Sequence, residues 1–231
     1  MPLGSNVLRL KSLMADNDSS DIRHFYEVGS YTIRNDCLLM MLHTKLDSLS
    51  NNFANISYLD DPIVSYTDYG NVLGLNLSIS SQEGKISYSE VLEKIEIFMN
   101  EVSKKAIEGF TDEDFENAKQ VKIKELISKD ADLSHEVDRN WTEIRKFDAM
   151  FNRKEVMVET LKTLTKFELQ EFFKSITQPG KMRKLSVQVI GNKEGEEVNE
   201  DYAFEFITEK LSDDENLITN IEEFQRALLL H

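Results

Sequence analysis

Long apolar runs are missing from this 231-residue chain. No stretch approaches the roughly 20 consecutive apolar residues that a membrane span requires, and no charged-then-apolar signal opens the chain, so a membrane is not among its expected partners. Cysteine is nearly absent too. Cys37, the single thiol, has no partner for an internal disulfide. With Leu38, Leu39, Met40 and Met41 behind it, Cys37 reads as a small buried hydrophobe, and a domain of this size needs no disulfide staples in any compartment. Positive charge is scarce: 27 Lys and Arg stand against 42 Asp and Glu, a formal charge of -15 at pH 7. Such a surface repels a phosphate backbone, which excludes nucleic acid as a partner. It would attract cationic peptides, although an acidic, solvated surface also simply keeps a protein soluble.

Glycine and proline are few, at 9 and 3 residues. The glycines are scattered without G-x-G-x-x-G or a Walker lysine, so no phosphate cradle is written into the chain. The four histidines, His24, His43, His135 and His231, never place two within one helical turn, and a zinc site would need ligands from scattered positions. His135-Glu136 begins like H-E-x-x-H, but Arg139 occupies the place of the second ligand, and a guanidinium cannot bind zinc. His135 is therefore expected to be a polar residue at a helix start, and the chain is expected to hold no metal or cofactor of its own. Carboxylate pairs such as Asp112 with Asp114 and Asp213 with Asp214 stand in polar contexts that would not drive their pKa values apart, as acid-base catalysis requires.

What is present is a 40% hydrophobic complement, enough for a sizeable core. Met1-Pro2-Leu3-Gly4-Ser5 reads as a vector remnant, and residues 6–22, polar and ending in Asp16-Asn17-Asp18-Ser19-Ser20-Asp21, as a linker or strap. Residues 23–231 read as one domain. A β-rich stretch around Phe25, Tyr26, Val28, Tyr31 and Ile33 is followed by a helix from Asn35 or Asp36, with Leu38, Leu39, Leu42, Leu46 and Leu49 on one stripe. Residues 62–66 and 71–80 read as strands around the turn Thr67-Asp68-Tyr69-Gly70, Leu73, Leu75, Leu77 and Ile79 alternating in the second.

Ser87 or Ser89 caps a helix that stops at Gly109, and Thr111-Asp112-Glu113-Asp114 opens another. A further helix from Ser134 carries Val137, Trp141, Ile144 and Phe147, with Trp141 read as core. Shorter helices follow at 154–163 and 165–177, up to Pro179-Gly180. Leu185, Val187 and Val189 then alternate with Ser186 and Gln188 in a returning strand, and Ile218, Ile221, Phe224 and Leu228 mark an amphipathic end. Strands on both sides of a helical block predict an α+β fold, with an antiparallel or mixed sheet packed against several helices.

Local residues add a resemblance. Phe110-Thr111-Asp112-Glu113-Asp114-Phe115, Arg139-Asn140-Trp141-Thr142-Glu143-Ile144, Leu161-Lys162-Thr163-Leu164-Thr165-Lys166 and Ile221-Glu222-Glu223-Phe224-Gln225-Arg226 occur in the order and spacing of the C-terminal end of insulysin and nardilysin. Over residues 24–230 the chain resembles the last domain of these insulinase-family (pitrilysin, inverzincin) zinc metallopeptidases. The resemblance implies an αβ roll of the metallopeptidase type shared with LuxS and mitochondrial processing peptidases.

It also implies a non-catalytic part in a chamber that closes around a peptide, with the preceding domains of its own chain as partners. The family's zinc, bound by H-x-x-E-H, would sit in the N-terminal part of the parent, and this stretch alone would be inactive. Active members carry an arginine and a tyrosine near the scissile bond in the context R-T-x-E-Q-L-G-Y. Residues 56–66, Ile56-Ser57-Tyr58-Leu59-Asp60-Asp61-Pro62-Ile63-Val64-Ser65-Tyr66, correspond to it without the arginine. Tyr66 is the candidate for the tyrosine, its phenol a possible donor to a substrate carbonyl, and it also reads as a strand residue packing on a neighbour. The alternative implied by the same fold is a non-enzymatic assembly or binding module, like the core subunits related to the processing peptidases.

Overall fold

The computed structural model describes residues 1–14, 17–51, 53, 60, 62–68, 72–81, 86–145, 149–192, 205–211, 213 and 215–229. Six strands form one mixed sheet: β1 (Gly4–Lys11), β2 (Asp21–Ser30), β3 (Ile63–Asp68), β4 (Val72–Ser80), β5 (Arg183–Ile190) and β6 (Glu215–Leu217), in the order β3-β4-β2-β5-β1-β6. β2, β3, β4 and β5 pair antiparallel, whereas β1 runs parallel to both β5 and β6. The helices are α1 (Ile33–Ser50), α2 (Tyr88–Ile97), α3 (Lys104–Glu108), α4 (Asp112–Ile127), α5 (Leu133–Arg145), α6 (Arg153–Thr163), α7 (Lys166–Thr177) and α8 (Ile221–Leu229). A π-helical turn, Phe98–Ser103, joins α2 to α3, and within it the Ser103 hydroxyl donates to the Phe98 carbonyl at 2.7 Å.

Local chemistry accounts for the helix starts. Ser87 and Thr165 each build a capping box with the glutamate three residues on, and Thr111 accepts from the Asp114 amide, so orphan donors of α2, α7 and α4 are satisfied, at Ser87 and Thr111 where the sequence signals placed them. The cap of α1 is Thr32, not Asn35 or Asp36: its hydroxyl accepts from the Asn35 amide. β-branched Thr32 and Ile33 look like the end of a strand, but β2 is broken earlier by a bulge between Glu27 and Gly29, where Gly29 takes φ 120.

Two further expectations are corrected. Residues 6–22, expected as a linker or strap, contribute to the sheet: Gly4–Lys11 is an internal strand, and Asp21 and Ile22 open β2. Composition hid this because Asn6 and Arg9, which look solvent-seeking, are buried at 4% and 1% exposure with partners for their polar atoms. Trp141, expected in the core, is 56% exposed. Phe147, of the same expected helix, lies outside the described residues, as do Tyr69 and Gly70 of the expected turn.

Among the described residues, helices seal one face of the sheet. On it Val64, Leu75, Leu77, Ile79 and Ile22 join Leu39, Leu42 and Leu46 of α1 and Leu169 and Phe173 of α7 in one core, each such leucine contributing on the order of 1.5–3 kcal/mol. The opposite face, with Ile63, Ser65, Arg23, Phe25, Asn76 and Ser78, is exposed or half-exposed. There Phe25 lies against Gly74, where a Cβ would stand 1.7 Å from the ring, so no larger residue fits at position 74 without moving that ring.

Candidate functional site

Two places carry chemistry. The first is the expected substrate contact, Tyr66, on the edge strand β3. Register pairs it with Leu75 on the helix-covered face, and its ring meets His43 of α1 edge-on at 5.2 Å between centroids. The His43 Nε2 lies 3.1 Å from the Val64 carbonyl. Burial first, then Asp36 and Cys37, raises the Tyr66 phenol above its ordinary value, so it keeps its proton at neutral pH and can only lend it as a hydrogen-bond donor. Ile56, Ser57, Tyr58, Leu59 and Asp61 of the same stretch lie outside the described residues.

The second is a cleft of about 700 Å³ between the π turn, α3, α7 and the sheet. Met99, Ile107, Phe173 and Met182 give it apolar walls, and Tyr26, Glu96 and Lys184 a polar floor. Lys184 Nζ stands 2.6 Å from Glu96 Oε1, and Asn100 Nδ2 donates to Glu96 Oε2 at 2.7 Å. Behind them His24 is buried, its Nδ1 3.5 Å from the Tyr26 hydroxyl and 3.7 Å from Glu96 Oε1, while its Nε2 has no partner. Burial, then Lys184, pushes the His24 imidazole well below its ordinary value, so it is neutral at pH 7. Burial and Glu96 push the Tyr26 phenol well up. The floor can hydrogen-bond a polar group, but its one ion pair is already closed. A neutral imidazole 3.7 Å from a carboxylate engaged elsewhere is no acid-base couple.

β5 explains why this cluster escapes a reading of pattern. Its alternation marks a strand, but the buried side is Lys184, Ser186 and Gln188, while Leu185, Val187 and Val189 are half-exposed. Gln188 accepts from Arg9 Nε at 2.6 Å and donates to Ser186 at 2.8 Å, and Arg9 pairs with Glu215 at 3.1 Å. The available signal was Arg9 itself, a charge inside an otherwise apolar run from Val7 to Leu10.

Zinc does not fit the described residues. His24 on β2, His43 on α1 and His135 on α5 belong to separate elements, each with its own partner, His135 lying 2.8 Å from Asp132. No three His, Cys, Asp or Glu side chains converge among the described residues. His231 lies outside them. The Cys37 thiol, pushed up to about 12 by burial and then Asp36, is not a ready nucleophile. No helix among the described residues is long and apolar enough to cross a membrane.

A mixed sheet with helices over one face and long helices between β4 and β5 is an α+β architecture, and solved metallopeptidases share it. No family model matches the chain. Human nardilysin is 29% identical to it over 195 residues, covering 83% of this chain and 17% of nardilysin. The fold superimposes on pitrilysin with a TM-score of 0.73 at 14% identity, covering 96% of this chain and 22% of that one. It also superimposes on a peptidase M16 inactive domain from Pseudomonas fluorescens, with a TM-score of 0.58 at 10% identity, covering 82% of this chain and 44% of that one. The chain is thus similar in sequence and fold to insulinase-family metallopeptidases, and it spans about a sixth of the length of nardilysin.

Proposed function

We propose that the chain is the non-catalytic last domain of an insulinase-family zinc metalloendopeptidase and forms part of the wall of its peptide chamber. The observation that supports this most is the likeness to nardilysin over 83% of the chain, in a domain whose histidines are dispersed. Zinc would be held elsewhere in the parent. An acidic surface of net charge -15 would favour cationic peptides.

Tyr66 is the residue of this chain assigned to the substrate, through its protonated phenol. Tyr66→Phe would then lower kcat of the assembled peptidase and leave KM and the stability of the domain unchanged.

The test is cleavage of a quenched peptide by the polypeptide that carries this chain, with and without a zinc chelator, and by this chain alone. Chelator-sensitive cleavage by the parent only is the expected result. A parent that associates stably, binds zinc and cleaves no peptide in a broad set would leave a scaffold in place of the peptidase.

A further inference from the structure

The floor of the 700 Å³ cleft is a carboxylate-binding arrangement that the chain fills with a carboxylate of its own. Glu96, at the end of α2, receives one donor on each oxygen: Lys184 Nζ at 2.6 Å on Oε1 and Asn100 Nδ2 at 2.7 Å on Oε2. The two sides of this contact are not equally fixed. Lys184 is buried on β5, a strand held between β2 and β1. Glu96 keeps 32% of its side chain exposed and also borders a second cavity of about 470 Å³, which lies toward Ser5 and Val7 of β1. The carboxylate therefore has somewhere to swing, and the ammonium does not. If Glu96 leaves, a buried cation loses its counter-charge, which is costly, so whatever takes its place must be an anion.

The walls define what that anion is attached to. Met99, Ile107, Phe173 and Met182 line the cleft, whose volume is in the range of small-molecule sites. Methionine side chains mould themselves to an apolar group of varied shape. One buried cation and two donors suit a planar, singly charged anion, whereas a phosphate would bring a third oxygen and a second charge. Lys104 and Lys174 also border the cleft, against Glu108, so its local charge favours an anion. The chain's net -15 opposes this only weakly, because charges beyond about 8 Å are screened at physiological salt. The π turn is an independent pointer. It carries both Met99 and Asn100 onto the cleft, and π turns inside helices recur at functional sites.

The geometry points to a ligand site: the cleft takes a monocarboxylate bearing a medium-sized apolar group, which displaces Glu96 and binds Lys184 and Asn100 in its place. Glu96 is the internal stand-in for that ligand. A free medium-chain acid and the C-terminal residue of a peptide with an apolar side chain share this chemistry. The site does not depend on the proposed part in a peptidase.

The experiment titrates octanoate, the tripeptide acetyl-Ala-Ala-Phe and the C-terminal amide of that tripeptide into the 231-residue chain labelled with 13C-methyl methionine. Met99→Leu and Met182→Leu assign the two wall resonances. At least one acid should shift both of them while the amide shifts neither, and the acid that binds names the source. Glu96→Gln removes the stand-in and should tighten acid binding by about tenfold, the gain expected when a binding-competent state populated at about 10% becomes the dominant one. Lys184→Met should weaken binding by about tenfold or more.

An amide that binds as tightly as the acid overturns the inference, as does the absence of any shift from both acids in the chain and in Glu96→Gln. A Glu96→Gln variant that binds the acid no more tightly also overturns it, because Glu96 and Lys184 would then be an ion pair of the fold alone. Thermal unfolding checks that Lys184→Met is folded. The Glu96→Gln and acid-against-amide comparisons leave Lys184 in place and decide the matter without that variant.

Discussion

On the helix-covered face of the sheet, the β3-β4-β2 half and the β5-β1-β6 half bury their side chains to similar depth with opposite chemistry. One row of register runs Val64, Leu77, His24, Ser186, Val7, and the next Tyr66, Leu75, Tyr26, Lys184, Ser5, Glu215. Crossing β2, apolar contacts give way to hydrogen bonds and ion pairs. The apolar half is held by burial alone and tolerates exchange among hydrophobes of similar volume. The polar half is held only while every partner is in place, because an orphaned buried charge costs more than the pair contributes. It also joins strands far apart in sequence, β1, β5 and β6, whose register the Arg9 contacts to Gln188 and Glu215 help define.

The comparison is broken most directly at Arg9. Arg9→Met leaves Glu215 buried without its cation and is expected to cost about 3–5 kcal/mol. Adding Glu215→Leu should recover most of that loss, which urea unfolding of the single and double variants would measure. Leu77→Ala, in the apolar half, is expected to cost about 2–5 kcal/mol, with no second-site change that restores it except one refilling the cavity. If Arg9→Met proves nearly neutral, the polar half is not the organised network described here.

These two residues also show what the sequence could tell. Leu77 was readable as core because Leu73, Leu75, Leu77 and Ile79 alternate in a strand whose apolar side is the buried one. Arg9 was not, since its burial depends on Gln188 and Glu215, 179 and 206 residues away. Capping chemistry is local, so the starts of α2 and α4 were legible. β1 and the inward face of β5 were not, because periodicity identifies a strand without saying which side is covered. The cleft of Tyr26, Glu96 and Lys184 joins three elements by tertiary contact and left no spacing to read. Trp141 was misplaced for a related reason: a helical stripe predicts a cover, and the described residues leave Trp141 56% exposed.

The next effect is a pH dependence confined to the polar half. His24 titrates near 6.5 when unfolded and well below that when folded. The unfolded state therefore binds the additional proton as pH falls through 6.5, and stability contributed by the neutral imidazole is present above that value and is lost below it. Its neighbours on β2, α2 and β5 are Tyr26, Glu96 and Lys184. Between pH 6.5 and about 5, above the usual carboxylate range, the slope should approach about 1.4 kcal/mol per pH unit. His24→Gln should flatten it. An equally steep acid limb in the variant would assign the effect to carboxylates instead.

The smallest expected effect is the scale against which the others are judged. Thr111 lies in neither half: its hydroxyl accepts from the Asp114 amide at 3.0 Å at the start of α4. Thr111→Ala removes one cap and should cost about 1 kcal/mol. Because neither that hydroxyl nor that amide titrates between pH 5 and 7, the penalty should be the same at both ends of the interval, while that of His24→Gln should change across it. A Thr111→Ala penalty that moved with pH as much as the histidine variant's would mean the acid response belongs to the whole fold, through its excess of carboxylates, and not to the buried cluster beside β2.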